Sequence, residues 1–63
     1  MMTKRLMSVH ISTLKGNYIM THNGTRWAVN GDTANLNTTA MMRIAKQFDR
    51  RRNVAVKYNW EVI

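Results

Sequence analysis

Residues 37–51 repeat their apolar side chains at helical spacing, and the segments on either side repeat theirs every second residue, so the chain must combine one helix with several strands. Met41, Ile44, Ala45 and Phe48 share one helical face, whereas Val54, Val56, Tyr58, Trp60 and Val62 alternate with Ala55, Lys57, Asn59 and Glu61. That alternation is the cleanest of its kind in the sequence and predicts a C-terminal strand. Upstream, Met7, Val9 and Ile11 alternate with Ser8, His10 and Ser12, which predicts a first strand over residues 6–14.

Turn residues divide what lies between. Gly16-Asn17 suits a two-residue turn, and Asn23-Gly24 matches the type I′ hairpin, whose two central residues both need positive φ. Residues 18–21 and 26–30 then become the second and third strands. These turns pair Leu14 with Ile19, Met20 with Trp27, Ile19 with Ala28 and Tyr18 with Val29. Tyr18, Met20, Trp27 and Val29 thereby join Met7, Val9 and Ile11 on one apolar face. The other face brings Leu14, Ile19 and Ala28 side by side, a small apolar patch suited to a partner or a second copy.

Residues 31–37 read as a polar connection ending at Asn37, a natural N-cap, with Leu36 placed to pack on Met41. The helix is predicted to run to about Arg51, with Asn53 closing it. The expected fold class is α+β. It is a two-layer β-β-β-α-β arrangement, with a three-stranded antiparallel meander, a C-terminal strand and one helix packed on the sheet. The pattern leaves open whether the last strand pairs with the first strand, with the third, or with another subunit.

A chain of 63 residues makes one small domain. Such a domain buries only about 60% of its unfolded surface, so a homodimer offers a route to further burial. There is no Cys, hence no disulfide and no thiolate metal site, which leads us to expect a reducing, cytoplasmic setting. No apolar run is long enough to span a bilayer, and no membrane association is expected. The N-terminus lacks a signal-peptide pattern, and residues 1–5 read as a flexible basic arm.

Ten Lys and Arg against three Asp and Glu leave a net charge of +7. Arg43, Lys46 and Arg50 fall within roughly 60° of one another on a helical wheel, opposite the apolar face. Arg51, Arg52 and Lys57 extend the cationic set, and Lys4 and Arg5 in the arm can reach a neighbouring backbone. Asp49 is the one acid in the helix, whereas a merely solvated face usually mixes signs. The expected partner is therefore nucleic acid, DNA or RNA, ahead of an acidic protein surface. In size and architecture alone, this Cys-free single domain resembles the accessory proteins with which bacteriophages bind and inhibit or redirect host enzymes. That resemblance implies an acidic patch on a larger enzyme as the alternative partner.

Catalysis has little to stand on. His10 and His22 are the only imidazoles, Asp32, Asp49 and Glu61 the only carboxylates, and no pair of them has metal-ligand or acid–base spacing. No Gly-rich phosphate loop or nucleophile elbow is present. A non-enzymatic protein without metal or cofactor is expected, and a small ribonuclease using His10 or His22 is the weakest alternative. Tyr18, Trp27, Tyr58 and Trp60 are assigned to the core, with Trp60 near the terminus the exception.

Overall fold

A computed structural model describes residues 3–62. Six elements follow in order: β1 (Lys4–Thr13), β2 (Gly16–His22), β3 (Trp27–Val29), β4 (Asp32–Thr33), α1 (Thr38–Asp49) and β5 (Ala55–Val62). The strands form one antiparallel sheet in the order β4-β3-β2-β1-β5, so the fold is α+β, a meander plus a C-terminal strand. The last strand pairs with the first, and α1 carries the chain back across one face of the sheet.

The faces follow the expected parity, but the turns do not fall where the Gly residues suggested. The first turn is Leu14-Lys15, flanked by Thr13 opposite Gly16, two residues earlier than expected. The Thr13 hydroxyl decides this: Oγ1 accepts from the backbone N–H of Lys15 (3.2 Å) and Gly16 (3.1 Å) and donates to the Gly16 carbonyl. In the second hairpin Asn23 Oδ1 accepts from the N–H groups of Thr25 (2.9 Å) and Arg26 (2.8 Å). This Asx turn replaces the type I′ turn expected at Asn23-Gly24 and lengthens the loop to residues 23–26. Met20 consequently pairs with Val29, not Trp27, and Trp27 pairs with His22.

The expected polar connection contains one strand more. Asn30 (φ 52°) and Gly31 (φ 92°) are both left-handed, so it is this Asn-Gly pair that closes a two-residue hairpin between Val29 and Asp32. Lys4 and Arg5 are also reassigned. They belong to β1, paired with Val62 and Glu61, and are not part of a flexible arm; Met1 and Met2 lie outside the described residues. A register shift between Leu6 and Ser8 switches the parity of β1 at Met7, so Leu6 and not Met7 turns fully inward.

One continuous core results: Leu6, Val9, Ile11, Met20 and Trp27 from the sheet meet Met41 and Ala45 from the helix. Ile44, Phe48, Val54, Val56 and Tyr58 pack around it, half-buried. The helix starts at Asn37, whose Oδ1 accepts from the Ala40 N–H at 2.8 Å, and ends at Arg50. Trp27 is wholly buried, and its indole N–H donates to Thr38 Oγ1 at 3.2 Å, tying the start of α1 to β3. Because α1 lies on one face only, the other face of the sheet stays open. There Asn59 Nδ2 donates to Ser8 Oγ (2.9 Å) and Arg5 pairs with Glu61.

A candidate anion-binding surface

The fold sorts the cations into separate groups. Arg43, Lys46 and Arg50 lie exposed along α1, opposite the buried Met41 and Ala45. Arg51 and Arg52 follow at the helix C-terminus, where positive charge is also favoured by the helix dipole. Arg5 and Lys57 project from the opposite face of the sheet, Lys57 beside His10. Lys4 is in line with Leu6, at the far end of β1 from the β1–β2 turn. The eight expected site residues therefore do not form one surface: Arg43, Lys46 and Arg50 share the outer face of α1, Arg51 and Arg52 line the cleft that follows it, and Lys4, Arg5 and Lys57 lie on the sheet.

Among the described residues the single ion pair is Arg5–Glu61, at 3.0 Å, and it lies on the other face. Among the described residues none of Arg43, Lys46, Arg50, Arg51 and Arg52 is paired with a carboxylate. Asp49 stands among them but bridges to none.

A shallow cleft of about 340 Å³ extends this surface at the end where the β1–β2 turn meets the end of α1. Tyr18, Phe48, Leu14 and Val54 form its apolar walls, and Lys15, Arg51 and Arg52 its cationic rim. The Arg51 guanidinium lies 4.7 Å from the centre of the Phe48 ring, and the Tyr18 and Phe48 rings are 6.3 Å apart and tilted. Stacking on Phe48 holds the guanidinium plane while its N–H groups remain available to an anion.

The cleft changes several assignments. Tyr18, expected in the core, is 38% exposed and forms a wall of the cleft. Leu14 stands in the turn and lines the cleft instead of pairing with Ile19, so the expected patch of Leu14, Ile19 and Ala28 reduces to Ile19 and Ala28 on the open face. The sequence does not single out Lys15, because the expected turn at Gly16-Asn17 lies after it. The signal was present in Thr13, a residue whose hydroxyl favours a turn two residues on.

The two imidazoles are on opposite faces of the sheet. His10 sits on the open face, between Ile19 and Lys57. His22 lies with Trp27 on the helix side, their rings 5.2 Å apart edge to face, and its Nδ1 accepts from the Gly24 N–H at 3.2 Å. Through this hydrogen bond His22 helps hold the 23–26 loop. No three His, Cys, Asp or Glu among the described residues are grouped to hold a metal ion. No helix among them is long and apolar enough to cross a membrane.

Compared with protein-family models, with curated protein sequences and with solved structures, the chain matches none, so its own residues carry the functional argument.

Proposed function

We propose that this chain is a non-enzymatic binding protein that takes a nucleic-acid backbone on the outer side of α1 and on the cationic rim at its C-terminal end. One observation carries the reading: Arg43, Lys46 and Arg50 are exposed along the outer face of α1, Arg51 and Arg52 are exposed directly after it, and among the described residues no carboxylate pairs with any of them. The arrangement is costly to the helix itself. Arg43 and Lys46 are spaced i,i+3, and Lys46 and Arg50 i,i+4, and like charges at those spacings destabilise a helix by about 0.2–0.5 kcal/mol per pair. A solvated face would avoid that cost by alternating sign, whereas a phosphate ladder repays it through released counterions. The separation of His10 from His22 supports a binding role over acid–base chemistry, and a cytoplasmic setting accords with a Cys-free, basic chain.

The test is a binding titration with single- and double-stranded DNA and RNA over a range of NaCl. Micromolar or tighter affinity that falls steeply with salt is expected. Affinity unchanged between low and high salt overturns the reading. Affinity capture with and without nuclease separates the alternative: one stoichiometric protein that stays bound after nuclease treatment assigns the surface to an acidic protein partner instead.

A further inference from the structure

β5 is an edge strand, and its sequence is chemically palindromic. Its eight residues pair with β1 on one side, and nothing among the described residues pairs with the other. The opposite edge of the sheet is protected by being only two residues long, whereas β5 has no Pro, no bulge on its own side and only one Lys, the usual devices that blunt an edge. Reading outward from Asn59, the neighbours are Tyr58 and Trp60, then Lys57 and Glu61, then Val56 and Val62.

We infer that β5 is a self-association edge, pairing antiparallel with β5 of a second copy about a two-fold axis at Asn59. Symmetry restricts the choice sharply. Antiparallel edge strands are related by an axis perpendicular to the sheet, which keeps each face on its own side. Residues opposite one another must also point to the same face, so only registers centred on a residue are allowed. Centring on Tyr58 sets Lys57 against Asn59 of the second copy and Glu61 against Ala55; centring on Trp60 sets Asn59 against Glu61. Of these three registers only the one centred on Asn59 matches each pair across residues 56–62. It sets Lys57 against Glu61 twice on the open face, and Tyr58 against Trp60 and Val56 against Val62, each twice, on the helix side.

The present surface accords with this register. Trp60 is 52% exposed and Val62 54%, although both lie on the same face as the core. Glu61 uses Oε2 for Arg5, leaving Oε1 for the incoming Lys57. Within β5 itself the charges cancel, so the strand is locally neutral in a chain of net charge +7. The dimer is a continuous ten-stranded sheet with both helices on one side, and its association is measured without any nucleic acid, so its failure leaves the anion-binding reading standing.

The chain has no Cys, which permits a register-specific test. Cα atoms opposite one another in an antiparallel pair lie about 4.5–5.5 Å apart, within disulfide range. Asn59→Cys is therefore expected to form a covalent dimer under mild oxidation, and Ala55→Cys, which does not meet its own copy in this register, is expected to associate without cross-linking. Sedimentation equilibrium of the unmodified chain is expected to show twice the 7.4 kDa chain mass as concentration rises. Lys57→Glu should weaken that association about tenfold or more by making two cross-strand pairs repulsive. Mixing it with Glu61→Lys should restore a heterodimer, and circular dichroism of each variant reports its folding. A monomer at every concentration, equal cross-linking at positions 55 and 59, or folded Lys57→Glu and Glu61→Lys chains that do not associate when mixed would overturn the inference.

Discussion

Replacing Arg43, Lys46 and Arg50 together by Gln is the sharpest way to separate a binding surface from a solvated one. If the five cations of α1 and its C-terminal end each meet a phosphate, log affinity for duplex DNA should fall with log salt at a slope of about −4.5, close to −0.9 per contact. Raising NaCl from about 50 to about 200 mM then weakens the unmodified chain about 500-fold. With three of the five removed the slope drops to about −1.8, and the same change in salt costs about 12-fold. Folding should respond in the opposite direction. Gln is as good a helix former as Arg or Lys, and the substitution removes two like-charge pairs, so the variant should melt at the same temperature or higher. Fluorescence anisotropy of a labelled duplex across a salt series, beside thermal melts followed by circular dichroism, measures both. A variant that keeps the original salt slope refutes the assignment of the helix face. A variant that loses binding only because it unfolds shows that these cations serve the fold.

Three further outcomes follow from the packing. Asn37→Ala removes the acceptor of the Ala40 N–H and should cost about 1 kcal/mol, lowering the melting temperature by about 4–8 °C; Asn37→Asp should retain most of it. Trp27→Ala deletes the largest wholly buried side chain, at a cost of about 3–5 kcal/mol. A core this small rarely supplies more than that, so the cooperative thermal transition should vanish. Burial, and then the negative charge of Asp49, raise the pKa of Tyr58 above its ordinary value near 10.0. The folded chain thus holds this proton more tightly than the unfolded one. The resulting stability is complete below about pH 10 and is lost as pH rises through the raised value, so denaturant melts of Tyr58→Phe should decline less above pH 10 than those of the unmodified chain.

Much of the fold is written in the spacing of apolar residues. The inward set Val9, Ile11, Met20, Trp27, Met41 and Ala45 follows directly from periods of two and of helical spacing, because burial on one face leaves little choice of parity. Turn positions were less legible because they depend on side-chain hydrogen bonds that compete with intrinsic Gly preference. Thr13 and Asn23 each capture two backbone N–H groups, and both hairpins moved accordingly. The inward switch of Leu6 rests on an irregular pairing with β5, a contact distant in sequence that local alternation does not encode. The cationic stripe of α1 was visible from helical geometry alone. Its continuation into the cleft was not, since Lys15 joins Arg51 and Arg52 only once the first turn and the helix end are brought together.

The placement of β5 beside β1 has a consequence for how the chain reaches its native state. β1 is synthesised well before β5, yet one of its two hydrogen-bonding edges is completed by β5, with more than forty residues between them along the chain. The meander can zip locally on microsecond timescales, but closing that long interval is the slow and entropically expensive event. On a ribosome it has to wait until residues 55–62 have cleared the exit tunnel. Until then the nascent polypeptide presents Leu6, Val9 and Ile11 without their β5 neighbours, and deleting β5 would leave that unfinished condition permanent.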